Sequence, residues 1–400
     1  MRHEETDRHV LMVIESDYPS MDGGGAEAQI ETLTANLPAG LQVSVVAPLV
    51  PYGPDSVDDV IQGAPVHRIW YPRLPLIGGL IMLLRLASLI LARRRSIDAI
   101  HCHIAHNMAA VCSFFGRLSG IPVVVKLTGM QELENGILSE IRSPGNGLRR
   151  WLIKQASAFQ AISEDLENGL IDKGFEKERV HLIPNAVDTR LFAPAPEACD
   201  AIKKNLGIDA DFVACYVGRM VPEKALDMLI RAWAQALPME AMASLVLVGT
   251  GPLETDLRTL AGSLNRAHQV KFAGFVQDKT VIADYWRIAD IGLLTSDFEG
   301  LSNALLEAMA SAVPMIGSRV SGNQDLITPG ETGWLFEPRQ QHQLATCLSE
   351  AFDMASAPRR RMGEAARQRA LEIVGVDHVW RRLSDLYLDR RQEAMALCAE

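Results

Sequence analysis

Two glutamates, Glu299 and Glu307, lie on either side of the predicted start of a helix in the segment SDFEGLSNALLE, residues 296–307. The helix is expected from about Leu301, which leaves Glu299 in the preceding loop and puts Glu307 on the helix, off its apolar face. A carboxylate accepts two hydrogen bonds and suits the vicinal hydroxyls of a ribose or a hexose. The pattern predicts two acids that bind one ligand, with two solvated surface charges as the alternative.

The start of this helix and an earlier strand end supply groups that suit a phosphate. The N–H groups of Gly300, Leu301 and Ser302 would face an anion, since the first amides of a helix do not bond to carbonyls of the same helix. Arg219 stands at a predicted strand end, and Lys224 is predicted in the first turn of the next helix, where the macrodipole normally disfavours a base. A nearby anion would explain that lysine. The two side chains are candidates for a diphosphate clamp, or else two solvated charges.

Glycine-rich turns follow two of the predicted strands. Gly23, Gly24 and Gly25 would expose backbone N–H groups to a phosphate, although they do not match the Gly-x-Gly-x-x-Gly pattern of dinucleotide-binding folds. A flexible loop is the alternative for them. Gly249 and Gly251, in the other turn, are predicted to serve backbone geometry and no catalytic role.

Short apolar runs alternate with helix-compatible stretches in the N-terminal half of the chain. The strand candidates are 9–15, 42–47, 98–103, 122–127, 159–162 and 180–183. The helix candidates are 26–37, 80–95, 107–118 and 165–173. Runs that are apolar on both faces suit buried parallel strands, and repeated strand–helix units predict an α/β fold with a doubly wound parallel sheet.

The alternation breaks at 188–200, which is predicted to be a linker, and then resumes. The second set of strand candidates is 212–217, 244–248, 270–272, 291–294, 314–316 and 333–336. We therefore expect two domains, 1–190 and 191–372, that face each other across a cleft with ligands beyond the carboxyl ends of the strands. A last helix, at 373–400, is expected to cross back to the first domain.

Bulk properties exclude several classes of protein. The 400 residues carry a net charge of -10, whereas a general nucleic-acid binder would usually be basic. The six cysteines are scattered with no Cys-x-x-Cys, so neither a zinc site nor a disulfide framework is expected, and a cytoplasmic location fits best. The N-terminus has no signal-peptide pattern, and the long apolar run 76–92 is interrupted by Arg85 and too short to span a bilayer.

The order and spacing of these motifs resemble family 4 of the glycosyltransferases, which have the GT-B fold of two Rossmann-like domains. Glu299 and Glu307 match the Glu-x7-Glu pattern of that family, and the resemblance covers nearly the whole chain. The other matching segments are the glycine loop 23–27, the Pro-Asn strand end 183–188 with Ala186 in place of the usual glycine, the diphosphate clamp 218–224, the base-binding turn 271–276 and the segment 331–335. Together they are far more specific than any one alone.

The resemblance implies a retaining hexosyltransferase that moves a hexose from a nucleotide-diphosphate sugar, such as a UDP- or GDP-hexose, to a glycan or lipid-linked acceptor in cell-surface or exopolysaccharide synthesis. Arg219 and Lys224 would bind the diphosphate, Glu307 the ribose and Glu299 the transferred sugar. Further contacts are implied for Gly24 and Gly25 on the phosphates, for the backbone at Phe275 and Val276 on the base, and for Asn185 in the Pro-Asn strand end. Neither a metal nor a cofactor is implied, because the leaving diphosphate would itself help to deprotonate the acceptor.

One departure from the family concerns a histidine. Many relatives carry one where this chain has Thr128, after the predicted strand 122–127. The preceding predicted strand ends in His103, which is our candidate for contacting the sugar or the acceptor, with His106 a weaker one and a structural role as the alternative. Lys126 and Thr128 are also expected to line the cleft.

Two apolar and basic segments, 80–95 and 148–154, suit an anionic membrane surface. A lipid-linked acceptor would sit there, at the inner face of the cytoplasmic membrane. Two buried helices with solvated basic ends are the alternative. If the membrane interpretation is right, this would be a peripheral membrane protein that works from the cytoplasm.

Two other functions stay open. The first is a non-catalytic binding or scaffold subunit that keeps the GT-B fold, which the threonine at position 128 motivates and the intact clamp and glutamate pair oppose. The second is a phosphorylase or sugar-phosphate synthase of the same fold. That enzyme would need a further basic site for an acceptor phosphate, and the sequence shows no such site.

Overall fold

The computed structural model describes residues 8–19, 24–51, 56–75, 77–139 and 145–397. The chain divides into two compact units, Met1–Ala186 together with Val376–Glu400, and Val187–Gly375. The first unit therefore contains both ends of the chain, whereas the second is continuous in sequence. The boundaries expected from the sequence, after residues 190 and 372, differ from these by a few residues.

The first unit is built on a sheet of eight strands among the described residues. They are β1 (Arg8–Val13), β2 (Leu41–Pro48), β3 (Asp58–Ile61), β4 (Ala64–Ile69), β5 (Ala99–Cys102), β6 (Val123–Lys126), β7 (Ala158–Ala161) and β8 (Val180–Leu182). The order is β3-β4-β2-β1-β5-β6-β7-β8, and neighbours are parallel except for the antiparallel pair β3 and β4. Since β5, β6 and β7 are buried along their whole length, they have the environment of parallel strands covered on both faces.

The helices that connect these strands are α1 (Gly25–Thr34), α2 (Ile77–Arg93), α3 (Asn107–Ser119), α4 (Gln131–Glu134), α5 (Asn146–Ile153) and α6 (Glu164–Asp172). Of these, α1, α2, α3 and α6 begin within three residues of a predicted helix, whereas α4 and α5 are not among the helix candidates. None of the helices that the structure describes, in either unit, combines the length and the apolar character that a bilayer crossing needs.

The hairpin of β3 and β4 has no counterpart among the predicted strands. β3 reads DDVI and is exposed or half-buried throughout, so it lacks the apolar pattern of a buried strand. Gln62 and Gly63 form its turn with φ of 50° and 78°, a left-handed pair whose twist suits a two-residue hairpin. The doubly wound parallel sheet predicted for this half is confirmed, with an antiparallel strand added at one edge.

The second unit has a parallel sheet in the Rossmann strand order. Its strands are β9 (Phe212–Val217), β10 (Ala243–Val248), β11 (Val270–Gly274), β12 (Ile291–Leu294), β13 (Met315–Ser318) and β14 (Gly333–Phe336). They lie in the order β11-β10-β9-β12-β13-β14. The direction of winding reverses between β9 and β12, so the loops that follow these two strands diverge and leave a crevice in which ligands of such sheets bind.

Eight helices accompany this sheet in the described part of the unit. They are α7 (Cys199–Leu206), α8 (Leu226–Ala236), α9 (Glu254–Ser263), α10 (Lys279–Arg287), α11 (Asn303–Ala310), α12 (Asn323–Leu326), α13 (Gln341–Asp353) and α14 (Ser356–Ile373). Leu226, Leu229, Ile230 and Trp233 of α8 are fully buried in the core, because their i, i+3, i+4, i+7 spacing puts them on one face of the helix.

The last helix, α15 (Val376–Leu397), returns to the first unit. Its apolar residues join the core that lies under β1, β2 and β6. The indole N–H of Trp380 donates to the carbonyl of Leu33 at 3.1 Å, and the hydroxyl of Tyr387 lies 2.7 Å from Nδ1 of His101 on β5. A segment from the end of the sequence thus completes the core of the N-terminal unit.

Candidate functional site

The loops that follow β9 and β12 meet through an ion pair at the crevice of the second unit. Nζ of Lys224 lies 2.5 Å from Oε2 of Glu299, and each side chain is only 17% exposed. The hydroxyl of Ser296 donates to the same carboxylate oxygen at 3.0 Å. The structure therefore brings two of the predicted site residues into direct contact, at the strand ends where the winding reverses.

Lys224 does not lie in the first turn of α8, and that prediction from the sequence is wrong. Residues Pro222–Lys224 form a separate turn of 3-10 helix, Ala225 follows in the left-handed conformation with φ of 47°, and α8 begins only at Leu226. The hydroxyl of Thr295 holds this turn by donating to the carbonyl of Lys224 at 2.7 Å. The lysine is thus presented by a turn fixed to the β12 loop and not by the helix.

The loop that carries Glu299 is also held at Asp297. The N–H of Asp297 donates to the carbonyl of Glu223 at 2.8 Å, and its carboxylate accepts two hydrogen bonds from Arg339, at 2.9 and 2.7 Å. Arg339 follows β14 and has a left-handed backbone, with φ of 62°. The sequence contains no signal for this contact. Since the loop is tied to two other strand ends, the position of the Glu299 carboxylate is set before a ligand binds.

Arg219 follows β9 on the same loop as Lys224 and differs from it in its surroundings. Its side chain is exposed, and no described residue accepts a hydrogen bond from its guanidinium. Its backbone is fixed, because the buried hydroxyl of Tyr216 donates to its carbonyl at 2.9 Å. Gly249 lets the next loop approach closely, since a Cβ there would lie 2.0 Å from the carbonyl oxygen of Gly218. That is the geometric role expected for this glycine.

Glu307 lies on α11, which begins at Asn303, two residues after the predicted start; Gly300, Leu301 and Ser302 form the approach to the helix. Oε2 of Glu307 accepts a hydrogen bond from the indole N–H of Trp286 at 3.3 Å. Burial raises the pKa of this carboxyl to about 7, although Lys279 and the Trp286 bond act in the opposite direction. Glu307 therefore exchanges a proton near neutral pH and can respond to donors that a ligand brings.

Phe275 and Val276 follow β11 at the same edge of the sheet. The side chain of Phe275 is 49% exposed, and Val276 is half-buried. The N–H of Gly249 donates to the carbonyl of Gly274 at 2.8 Å, which joins the turn after β10 to the end of β11. Within the described ranges of either unit, no three His, Cys, Asp or Glu side chains come together in an arrangement that would hold a metal ion.

The glycine turn of the first unit precedes α1. Gly24 is the residue before the helix and Gly25 is its first residue, whereas Gly23 lies outside the described residues. A Cβ on Gly24 would lie 1.9 Å from Oε2 of Glu27, which is buried and accepts a hydrogen bond from Ser16. The glutamate thus occupies the space that a side chain at position 24 would need.

His103 is completely buried at the end of β5. Its ring stacks on His101, with centroids 4.4 Å apart, and neither ring nitrogen has a hydrogen-bond partner among the described residues. Burial lowers the pKa of His103 well below its usual range, and His101 and Lys126 act in the same direction. His103 is therefore neutral at physiological pH. Its contact with a substrate stays a prediction.

Thr128, in the position where relatives carry a histidine, donates its hydroxyl to the carboxylate of Glu132 at 2.5 Å. The same carboxylate accepts from the backbone N–H of Thr128 at 2.6 Å and from that of Ala105 at 2.9 Å. Burial raises the pKa of Glu132 and lowers that of the neighbouring Lys126 to about 7. Glu132, which the sequence did not single out, thus links the loops that follow β5 and β6, and Lys126 is buried instead of lining an open surface.

His106 lies at the start of α3 and contacts a second carboxylate that the sequence did not single out. Nδ1 of His106 lies 2.9 Å from Glu15, which also accepts from the side chain of Asn107 at 2.9 Å and from the N–H of Met108 at 2.5 Å. Burial pushes the pKa of Glu15 up, but these hydrogen bonds outweigh it and the net effect is a lowered pKa. Glu15 raises the pKa of His106 in turn.

Asn185 is buried in the segment that follows β8. Gln29 of α1 fixes the next residue with two hydrogen bonds: its amide donates to the carbonyl of Ala186 at 2.9 Å and accepts from the N–H of Ala186 at 2.7 Å. The Pro-Asn strand end is thereby attached to the helix that follows the glycine turn.

Family models and known structures agree with this architecture. Residues 24–186 match the model described as a glycosyl transferase 4-like domain, and residues 200–369 match the model of the glycosyl transferases group 1. The structure of Anabaena HepE in complex with UDP is similar with a TM-score of 0.76 and 20% identity, over 95% of this chain and 100% of that one. Sucrose-phosphate synthase from Thermosynechococcus elongatus is similar with a TM-score of 0.76 and 21% identity, over 96% of this chain and 98% of that one. The two Rossmann-like units thus define the GT-B class.

The chain belongs to the family 4 type of glycosyltransferases, as the sequence motifs predicted. Among curated relatives, it is 28% identical over 304 residues to N-acetyl-alpha-D-glucosaminyl L-malate synthase of Bacillus anthracis, covering 74% of this chain and 76% of that one. It is also 28% identical to D-inositol 3-phosphate glycosyltransferase of Acidothermus cellulolyticus, over 64% and 60% of the two chains. The activity of a glycosyltransferase follows from this membership.

Proposed function

We propose that this glycosyltransferase transfers a hexose from a nucleotide-diphosphate sugar with retention of anomeric configuration. The observation that carries the proposal is the Lys224–Glu299 pair at the point where the winding of the second unit reverses, with the exposed Arg219 on the same loop. A diphosphate needs cations and a sugar needs a hydroxyl acceptor, and this crevice offers both. Similar structures described as complexes of Anabaena HepE with UDP and with UDP-glucose support a donor of this kind.

In the proposed complex, Arg219 and Lys224 bind the diphosphate and Glu299 accepts hydrogen bonds from the transferred sugar. Glu307 accepts from the ribose, and donors from that sugar would favour its ionised form, since its pKa is about 7 without them. The base lies against the backbone at Phe275 and Val276, and the helix start at 300–302 faces the phosphates. In the first unit, we assign phosphate contacts to Gly24 and Gly25, and substrate contacts to His103, Thr128 and Asn185.

The proposed reaction needs neither a metal nor a cofactor, because Arg219 and Lys224 supply the positive charge that the leaving group requires. The bond between the anomeric carbon and the diphosphate oxygen breaks, and the acceptor oxygen bonds to that carbon from the same face. The leaving diphosphate takes the proton of the acceptor hydroxyl. The residues of the site position the reactants and stabilise the charge that develops on the diphosphate.

A thermal-shift screen of UDP-, GDP- and ADP-hexoses tests the donor. At least one should raise the midpoint of unfolding by several degrees, because a ligand that binds only the folded state stabilises it. The purified protein should then hydrolyse that donor slowly, and Glu299→Ala should abolish hydrolysis. Glu337→Ala, which removes an exposed carboxylate of the same unit, serves as the control. If no nucleotide-sugar stabilises the protein, the proposal is wrong.

For the acceptor, we propose a glycan or lipid-linked sugar that is reached at an anionic membrane. Three helices of the first unit support this: α2 packs against α3, α3 packs against α5, and all three expose large apolar side chains. We call these side chains the membrane face, and their exposed fractions run from 37% to 67%. They are Ile77, Leu80 and Leu84 on α2, Phe114 and Leu118 on α3, and Leu148 and Trp151 on α5. Arginines 93–95 and 149–150 lie on the same helices or directly after them. Exposed apolar groups flanked by arginines suit an interface with anionic lipids.

Co-sedimentation with liposomes tests the membrane face. The protein should bind vesicles that contain anionic phosphatidylglycerol and not vesicles of phosphatidylcholine alone. Arg93, Arg94, Arg149 and Arg150→Glu should abolish binding, and the pair Leu80→Ser and Leu84→Ser should weaken it without a change in charge. A matched control replaces four exposed arginines of α14 and α15, at positions 360, 361, 381 and 382. Failure of the unmodified protein to bind anionic vesicles contradicts the proposal.

A further inference from the structure

The lysine that faces the proposed diphosphate position is already neutralised by the protein. Lys224 and Glu299 are 2.5 Å apart and each is 17% exposed, so water screens their interaction only weakly. The same carboxylate oxygen of Glu299 accepts a hydrogen bond from Ser296. Glu299 is thus fixed as a negative charge directly beside the ammonium group, in a loop that Asp297 and Arg339 hold in place.

Arg219 has no such counter-charge. Its side chain is exposed, and no carboxylate in the described part of the chain pairs with it. The two cations of the clamp therefore differ: one offers its full charge to a ligand, and the other offers a charge that Glu299 offsets. A diphosphate at Lys224 must come close to a carboxylate that repels it.

We propose that Glu299 makes the site discriminate between the nucleotide-sugar and the nucleoside diphosphate that remains after transfer. This inference rests on the proposed function. When the sugar is present, its hydroxyls donate to Glu299 and offset its negative charge. When the sugar has left and the diphosphate has released the proton that it took from the acceptor, Glu299 faces a diphosphate with one more negative charge and no hydroxyls in between. The same carboxylate that helps to bind the substrate therefore weakens the binding of the product and speeds its release.

Isothermal titration calorimetry of the nucleoside diphosphate and of its hexose ester tests this, with UDP and UDP-glucose as the first probes and GDP and GDP-mannose as the second. Glu299→Gln should bind the nucleoside diphosphate about tenfold more tightly than the unmodified protein, a gain of about 1.4 kcal/mol. It should not bind the nucleotide-hexose more tightly. The gain should shrink as the salt concentration rises, because the repulsion that the substitution removes is electrostatic.

Asp227→Asn is the matched control, since it removes one negative charge from an exposed position just three residues beyond Lys224. It should leave both affinities within about twofold of the unmodified protein. Glu299→Ala removes the same charge with a different change in volume and should reproduce the effect of Glu299→Gln. Agreement of the two variants shows that the tighter binding does not come from new contacts of the glutamine side chain.

The outcomes separate the two proposals. If the unmodified protein binds a nucleoside diphosphate and neither Glu299 variant binds it more tightly, the inference about product release is overturned while the donor proposal stands. If the unmodified protein binds no nucleoside diphosphate and no nucleotide-hexose, the proposed function fails, and the inference fails with it. A tenfold gain that appears equally in Asp227→Asn also overturns the inference, because the effect would then not depend on the Lys224–Glu299 contact.

Discussion

The two units use the carboxylates at the carboxyl edges of their sheets in different ways. In the first unit, Glu15 accepts a hydrogen bond from the backbone N–H of Met108 in the first turn of α3, and Glu132 accepts from those of Ala105 and Thr128. In the second unit, Glu299 pairs with the side chain of Lys224, and Glu307 accepts a hydrogen bond from the indole N–H of Trp286 at 3.3 Å and has a raised pKa. The first pair thus bonds to backbone N–H groups as well as to side chains, whereas the contacts of the second pair are with side chains.

This difference indicates what each set of charges is for. A buried carboxylate bonded to backbone amides cannot be released without rearranging the backbone that carries them, so it determines local shape and stability. A carboxylate bonded to a long, flexible cation can change partners when a ligand arrives. We therefore expect substitutions of Glu15 and Glu132 to act on folding, and substitutions of Lys224, Glu299 and Glu307 to act mainly on ligand binding.

The largest effect is expected for Lys224→Ala. Loss of this cation should reduce kcat/KM for the nucleotide-sugar by about 100-fold or more. The diphosphate then has Arg219 as its one remaining cation of the clamp, and no ammonium group offsets the negative charge of Glu299. The free energy of unfolding should fall by no more than about 2 kcal/mol, since Glu299 keeps its bond to Ser296 and is partly exposed. Steady-state kinetics and urea unfolding measure the two effects, with Lys204→Ala as an exposed control. A larger effect on stability than on activity would contradict the comparison.

Glu132→Gln tests the first unit. The amide places a donor where the carboxylate accepts from Ala105 and Thr128, so one buried N–H loses its partner. The free energy of unfolding should fall by about 2–3 kcal/mol in urea titrations. Glu134→Gln, an exposed substitution on the same short helix, should change it by less than about 0.5 kcal/mol. Equal effects of the two substitutions would show that Glu132 has no structural role.

Glu307→Gln tests the effect of pH on the second unit. The folded pKa of about 7 exceeds the ordinary value of 4.5, so the stability contributed by the protonated group is complete below about pH 4.5 and is lost as the pH rises through 7. Glutamine does not titrate. The variant should match the unmodified protein in urea unfolding at pH 4.5 and be more stable by about 1–3 kcal/mol at pH 8. A stability difference that does not change with pH would argue against a raised pKa.

The smallest effect is expected for His106→Gln. Glu15 raises the pKa of His106, so the stabilising contribution of the protonated ring is complete below about pH 6.5 and is lost as the pH rises through the folded pKa. Because the ring is 55% exposed, solvent screening limits the contribution to about 0.5 kcal/mol at pH 5.5, with less at pH 8.5. Thermal unfolding at the two pH values measures it. A larger loss of stability at pH 8.5 than at pH 5.5 would contradict a raised pKa of His106.

The sequence predicted the elements that depend on local pattern. β9, β12 and β14 have the predicted bounds, because each is a short apolar run with polar or glycine residues at its ends. The apolar face of α8 was predicted from its spacing for the same reason. The glutamate pair and the clamp could be assigned to a glycosyltransferase because their order along the chain is itself characteristic.

The contacts that hold these residues could not be predicted, because they depend on which strand ends become neighbours. Asp297 and Arg339 are 42 positions apart, and Glu15 and His106 are 91 apart. No periodicity connects such pairs. The turn of Lys224 was missed for a different reason: an alanine in the left-handed conformation, at position 225, is rare and has no signal in the local sequence.

The position of α15 has a consequence for the order in which the protein folds during synthesis. The second unit is one continuous segment, so all of its residues have been made once Gly375 has been added. The first unit has most of its chain earlier, but its core includes Val376, Trp380 and Leu383 and stays incomplete until these residues, which follow the whole of the second unit, have been made. Since domains generally fold as units, we expect the first unit to reach its native state after the second unit during synthesis.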